Sequence, residues 1–129
     1  MIAKDIMTKD VITVSPTTTV RSLAMILIKN QISGAPVAGR NGKIVGVVSE
    51  ADIVAKKGKD VKAIMSKKII SVSEKAPVEK IAQLMTTHKI KRIPVMRGDE
   101  VVGIVSRADI VSAIALGKHV ALHTPGHNL

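Results

Sequence analysis

Two hydrophobic periodicities alternate along this chain. Val11-Ile12-Thr13-Val14 is a short β-branched run that stops at Ser15-Pro16, the pattern of a strand. Val20, Leu23, Ala24, Leu27 and Ile28 then recur at the spacing of one helical face, which predicts a helix from about Thr19 to Asn30 with Thr18 as its cap. Ala35 to Ala38 and Ile44 to Val48 read as strands. Between them lies Gly39-Arg40-Asn41-Gly42, whose Asn-Gly pair tolerates the positive φ of a tight hairpin. A second helix is predicted from Glu50.

The same order then returns. Asp5-Ile6-Met7-Thr8 lies over Ala63-Ile64-Met65-Ser66 at an offset of 58, which also carries Val14 to Val72, Val20 to Val78, Ile32 to Ile90 and Pro36-Val37 to Pro94-Val95. After one residue is lost in a loop, an offset of 57 lays Gly46-Val47-Val48-Ser49-Glu50-Ala51-Asp52 over Gly103-Ile104-Val105-Ser106-Arg107-Ala108-Asp109. The second copy predicts a strand over Ile69 to Val72 and a helix opened by Pro77 in its first turn, with the stripe Val78, Ile81, Ala82 and Met85. Strands over Ile93 to Met96 and Val101 to Val105 and a helix from Arg107 complete it. The expected fold class is α/β (α+β), with tandem β-α-β-β-α repeats over residues 1–58 and 59–116 and a tail over 117–129. Units of this size bury too little surface to be comfortably stable alone, so the halves are expected to need each other; two such copies can pair through their sheets, with pseudo-two-fold symmetry. The cleft between two such copies is the default position for a ligand.

Composition narrows the function classes. Apolar residues make up 46% of the chain, yet no uninterrupted apolar run approaches the roughly 18 residues that a membrane span needs. Met1-Ile2-Ala3-Lys4-Asp5 lacks the apolar stretch of a secretory signal, and a folded cytoplasmic protein with no membrane contact is expected. There is no cysteine, which excludes disulfides and thiolate chemistry. The formal charge of +10 favours anionic partners such as nucleotides, polyphosphates or nucleic acid. Lys56, Lys57, Lys59, Lys62, Lys67 and Lys68 crowd the junction, either as a solvated linker surface or as a basic face for nucleic acid. The absence of Phe, Tyr and Trp removes base stacking on aromatic rings, worth about 1–3 kcal/mol per base. Adenine can still lie between aliphatic side chains, since apolar burial contributes about 25 cal/mol per Å².

Candidate chemistry concentrates in Ser49-x-x-Asp52 and Ser106-x-x-Asp109, each placed where a strand hands over to a helix. One reading is a capping box that satisfies orphan helix amides. The other is a ligand anchor: the acid is Asp both times rather than the longer Glu or Gln, and Gly46 or Gly103, three residues before the Ser, permits close approach to the strand. A carboxylate at a helix start can accept hydrogen bonds from both hydroxyls of a ribose 2′,3′-diol, and charge-assisted bonds are roughly twice as strong as neutral ones. The Ser hydroxyls and helix amides can hold a ribose oxygen or phosphate.

The repeated order, the two Gly-x-x-Ser-x-x-Asp segments and the Ala35-Pro36-Val37 and Ile93-Pro94-Val95 strands resemble a tandem pair of CBS domains, the Bateman module, over about residues 1–116. The resemblance implies a regulatory module, not an enzyme, that binds AMP, ADP, ATP or S-adenosylmethionine in clefts between the repeats. It also implies a homodimer that signals by conformational change to a separate effector protein. In the family a cleft takes its ribose contacts from one repeat and its base or phosphate contacts largely from the other. That rule groups Ser49 and Asp52 with Ile70, Lys91 and Arg92, and Ser106 and Asp109 with Ile12, Ser33 and Gly34, with Arg107 near a phosphate at the latter. Lys91-Arg92 stands where the first repeat has Ser33-Gly34, so the Asp52 set is expected to prefer phosphorylated ligands, unless the two side chains form only an exposed basic turn.

The rival reading is a basic nucleic-acid-binding protein in which the repeat is only a scaffold; a third is an assembly module whose Ser-x-x-Asp segments only cap. No P-loop or Ser/His/Asp arrangement emerges. His119, His123 and His127 share helical metal-ligand spacing, but Pro125-Gly126 breaks such a helix and a flexible tail is expected, while His88 is expected at the surface end of its helix.

Overall fold

In the computed structural model, which describes Met1–Gly117, twelve short elements follow one another. They are α1 (Ala3–Ile6), α2 (Val20–Asn30), β1 (Gly34–Ala38), a 3-10 turn (Arg40–Gly42), β2 (Ile44–Ser49), α3 (Glu50–Ala55), α4 (Val61–Ile64), β3 (Val72–Ser73), α5 (Val78–His88), β4 (Arg92–Arg97), β5 (Glu100–Ser106) and α6 (Arg107–Ala115). None of these helices is long and apolar enough to cross a membrane. The histidine-bearing tail beyond Gly117 lies outside the described residues.

The elements gather into two compact units that do not follow sequence order. One consists of Val11–Ile69 with Gly98–Glu100; the other joins Met1–Asp10 to Ile70–Arg97 and to the described residues from Val101 to Gly117. Each has its own core.

In the first-repeat unit, Val14, Leu23, Leu27, Ala35, Val37 and Val48 are buried together with Val61 and Ile64 from α4, which follows the first copy in sequence. A fully buried Val, Leu or Ile is worth about 1.5–3 kcal/mol, so α4 is a substantial part of this core. Backbone bonds fix it: Val61 N–H donates to Thr18 O at 2.8 Å, Lys62 N–H to Pro16 O at 2.9 Å and Val20 N–H to Lys59 O at 3.1 Å. Asp60 caps α4 by accepting the Ala63 N–H at 3.1 Å. β1 and β2 pair antiparallel with Gly34 opposite Ser49 and Pro36 opposite Val47. Asn41 (φ 66°) and Gly42 (φ 73°) supply the positive φ angles of the turn between them.

Three local expectations are corrected here. The strand over Val11 to Val14 shrinks to a single parallel bridge from Val14 to Val37. Its continuation is diverted, because the Ser15 N–H donates to Thr18 Oγ1 at 3.2 Å and the Ser15 carbonyl accepts the Thr18 N–H at 3.0 Å. Thr18 is thereby used in a turn, and Thr19 caps α2 by accepting the Ser22 N–H at 3.1 Å. On α2 itself Leu23 and Leu27 are buried, but Ile28 is 76% exposed and Ile26 packs against the core instead.

In the second-repeat unit the core comprises Val72, Val78, Ile81, Met85, Ile93, Val95, Val105 and Ile110, joined by Ala3 of α1 with Met1, Ile6 and Met7 around it. Its sheet runs β3-β4-β5, and β3 pairs parallel with β4 through Val72 opposite Val95, the counterpart of the Val14–Val37 bridge. The strand expected over Ile69 to Val72 is only Val72–Ser73, and Pro77 is the N-cap of α5 rather than part of its first turn. The stripe Val78, Ile81, Ala82 and Met85 faces the core as its spacing predicts. α1 is held by Ala3 N–H to Ala76 O at 2.8 Å and Val78 N–H to Met1 O at 3.0 Å. His88 is the last residue of α5 and is half-buried.

Both long helices stop in the same way, and the stop aims the following strand. Gln31 and Lys89, matching positions of the two copies, each adopt the left-handed conformation with φ 54°. The next residues donate back five positions, Ile32 N–H to Leu27 O and Ile90 N–H to Met85 O, both at 3.0 Å. This is the Schellman arrangement, whose hydrophobic residue after the cap packs inward. Ile32 and Ile90 do so in their respective cores, and Ser33-Gly34 and Lys91-Arg92 follow at the mouths of β1 and β4.

Candidate functional site

Each unit brings several of the sequence-predicted residues to one end of its sheet. In the first-repeat unit Gly34 lies opposite Ser49, and the Glu50 N–H donates to Ser33 O at 2.9 Å, so the start of β1 is fastened to the start of α3. In the second-repeat unit the Arg107 N–H donates to Lys91 O at 2.8 Å, which fastens the approach to β4 to the start of α6. Ile12 and Ile70, each two residues before the Val14 or Val72 pairing, are half-buried; Lys91 and Arg107 are exposed, and Arg92 is half-buried.

The two glycines are required by close packing. A Cβ on Gly46 would lie 2.7 Å from Ser66 O and 2.8 Å from Met65 Sδ, and a Cβ on Gly103 would overlap Met7 Sδ and lie 2.7 Å from Met7 Cγ. The occupants are the two copies of the Ile-Met-Thr/Ser segment. Ser66 exchanges backbone bonds of 2.8 and 2.9 Å with Val47, and Thr8 exchanges bonds of 2.9 and 3.0 Å with Ile104. Met65-Ser66 therefore lines β2 of the first-repeat unit, and Met7-Thr8 lines β5 of the second-repeat unit. These edge segments were visible as a repeated motif, but their place beneath the glycines was not.

Both aspartates cap their helices. The Ser49 N–H donates to Asp52 Oδ2 at 2.9 Å and the Ser49 hydroxyl reaches the same oxygen at 3.3 Å. At the other start the Ser106 N–H donates to Asp109 Oδ2 at 2.7 Å, and Ser106 Oγ accepts the Asp109 N–H at 3.2 Å, completing a reciprocal capping box. The side chains differ at the second carboxylate oxygen. Asp52 Oδ1 is 2.9 Å from Lys56 Nζ, whereas no described residue donates to Asp109 Oδ1. Lys56 also donates to Ile64 O at 3.1 Å. Sequence reasoning placed Lys56 only in a basic run; its position four residues after Asp52 was the signal for this pair. Lys57, Lys59, Lys62, Lys67 and Lys68 are all exposed on the first-repeat unit.

Chemically, each helix start offers a half-buried carboxylate, a Ser hydroxyl and a mouth of backbone at the end of a strand pair. This set can accept hydrogen bonds from a vicinal diol.

A family profile described as "CBS domain" matches residues 3–58 and again 61–116. Among solved structures, the CBS domain pair of protein MJ0100, in complex with 5′-methylthioadenosine and S-adenosyl-L-methionine, superposes with a TM-score of 0.86 at 33% identity, covering 92% of this chain and 98% of that one. CBSX2 in complex with AMP superposes with a TM-score of 0.84 at 28% identity, covering 92% and 98%. Among curated proteins, inosine-5′-monophosphate dehydrogenase of Methanocaldococcus jannaschii is 33% identical over 112 residues, 84% of this chain but only 23% of that enzyme. The chain spans less than a quarter of the length of the first curated relatives it matches.

Proposed function

The chain belongs to the CBS domain family, with two copies in tandem, and from that premise we propose that it is a regulatory module binding an adenosine-containing ligand: AMP, ADP, ATP or S-adenosylmethionine. The observation that carries the reading is the pair of half-buried carboxylates, Asp52 and Asp109, each held at the end of a strand and the start of a helix. The ligands of the two related complexes, 5′-methylthioadenosine, S-adenosyl-L-methionine and AMP, share a ribose diol, which supports the same class here.

In this reading Asp52 and Asp109 accept the ribose hydroxyls, while Ser49 and Ser106 hold a ribose oxygen or phosphate. Ile12, Ser33, Gly34 and Ile70 contact the base, and Lys91, Arg92 and Arg107 favour phosphorylated ligands. The output is a conformational change passed by a homodimer to a separate effector protein. Such a switch requires that the ligand bind one arrangement better than the other.

Equilibrium dialysis at moderate salt against AMP, ATP, S-adenosylmethionine and 2′-deoxy-AMP tests the reading on the wild type, Asp52→Ala and Asp109→Ala. The expected result is saturable binding that falls at least tenfold with the deoxy sugar, since a lost bond to a charged group costs about 1.5–3 kcal/mol, and falls with at least one Asp replacement. Binding to none of these ligands, together with salt-sensitive retention of duplex DNA, would instead favour the exposed lysines as the active surface.

A further inference from the structure

The two carboxylates are unequal as acceptors, and one lysine makes them so. Asp52 has its Oδ2 engaged by the Ser49 amide and hydroxyl and its Oδ1 engaged by the Lys56 ammonium at 2.9 Å. Asp109 has the same inner bond, Ser106 N–H to Oδ2, but its Oδ1 meets no donor among the described residues, and the position four residues on is Ala113. A carboxylate offers about four lone-pair sites, and a diol that approaches Asp52 meets an ammonium already seated on the outer oxygen.

Resting on the reading of Asp52 as a ribose anchor, we propose that Lys56 is an intramolecular competitor for that anchor: it lowers the affinity of Asp52 for the diol and must yield Oδ1 when a ribose binds. The ammonium is well placed to do so, because its second bond, to Ile64 O at 3.1 Å, keeps it at the C-terminal end of α4. That end continues into Met65-Ser66, the segment that lines β2 beneath Gly46. Displacing Lys56 from Asp52 therefore leaves the ammonium on one partner, Ile64 O at the end of α4. Asp109 has no such tether and binds its diol without competition.

The test uses adenosine, an uncharged probe with the diol and no phosphate, so that Lys56 cannot act through phosphate attraction. Equilibrium dialysis is run in an Asp109→Asn background, which keeps an acceptor for the Ser106 amide. The expected result is that Lys56→Met binds adenosine about threefold more tightly, the scale of a partly exposed ion pair, while Lys56→Arg retains the weaker wild-type affinity. Raising salt should tighten adenosine binding by the Lys56 protein and leave the Lys56→Met protein unchanged. Unchanged or weaker adenosine binding by Lys56→Met, with a normal denaturation profile, would overturn the competitor. If neither protein binds adenosine and 2′-deoxyadenosine differently, the ribose reading of Asp52 itself falls, and the competitor with it.

Discussion

The start of α3 and the start of α6 carry the same motif in different states. At α6, Ser106 and Asp109 exchange both bonds of a capping box, leaving one carboxylate oxygen without a donor among the described residues; at α3, the Ser49 hydroxyl turns to the carboxylate and Lys56 takes the outer oxygen. Capping is thus compatible with the proposed ligand anchoring on one side chain, because the cap uses Oδ2 and leaves the other oxygen for a diol. A single position one helical turn further on, Lys56 against Ala113, decides how much remains.

The largest expected effect compares the glycines beneath the two motifs. Gly46→Ala drives a Cβ into Ser66 O, a backbone atom fixed by its bonds to Val47, while the three atoms nearest a Cβ on Gly103 all belong to the side chain of Met7. Overpacking costs about 1–3 kcal/mol, and Gly46→Ala should lie at the top of that range with Gly103→Ala at the bottom. Urea denaturation reads both. Met7→Ala should restore much of the stability lost by Gly103→Ala, and Met65→Ala should restore little of that lost by Gly46→Ala. Equal costs would mean that the edge segments are equally able to give way.

Next come the two proposed anchors. Asp52→Ala and Asp109→Ala should each lose about 1 kcal/mol of stability as caps, and at least tenfold in adenosine affinity at their own anchor. The affinity loss should be larger for Asp109, whose outer oxygen is open, than for Asp52, which already shares its charge with Lys56. Dialysis of the two single variants against adenosine measures the gap, and equal losses would break the comparison.

Legibility in the sequence followed the range of the interactions. The Ser-x-x-Asp starts were readable because a cap is made within four residues, and α2, α5 and the β1-β2 and β4-β5 strands because their apolar runs are long enough to show a period. α1 and α4 were missed: a helix of one turn has no periodicity, and these two are held by tertiary bonds such as Val61 to Thr18 and Ala3 to Ala76. The strand over Val11 to Val14 reduces to one bridge because Ser15 bonds Thr18 instead, a contact that a β-branched run does not signal. The offset of 58 showed that Met7 and Met65 are equivalent. It was silent on which sheet each would line, since that choice depends on the path of the chain through space. Lys56 was hidden among lysines that make no comparable contact.

A smaller effect separates the two serines. Ser106 Oγ accepts the Asp109 amide at 3.2 Å, so Ser106→Ala should cost about 1 kcal/mol, the value of an N-cap. The Ser49 hydroxyl is spent on a 3.3 Å contact with Asp52, and Ser49→Ala should cost only a few tenths of a kcal/mol. Denaturation of the two variants side by side would show whether the reciprocal box at α6 is the tighter cap.

The smallest effect lies in acid, and it belongs to one unit alone. In the second-repeat unit Arg97 donates to Glu74 through Nε at 2.9 Å and Nη2 at 3.0 Å; the matching positions of the first copy, Pro16 and Gly39, can form no such pair. The hydrogen bond from Arg97 holds the Glu74 carboxyl below its usual range, with desolvation opposing it and the charges of Arg97, Lys4 and Lys75 adding to it. A carboxyl depressed in the folded state contributes stability above its ordinary value near 4.5 and loses it as pH falls through the depressed folded value. The contribution is small, because Arg97 is exposed and salt screens the pair. Glu74→Gln should therefore leave the high-salt denaturation midpoint nearly unchanged at every pH, yet flatten the wild type's low-salt decline below pH about 4.5. An equal decline in both proteins would show that the Arg97–Glu74 pair is not the source of the acid sensitivity.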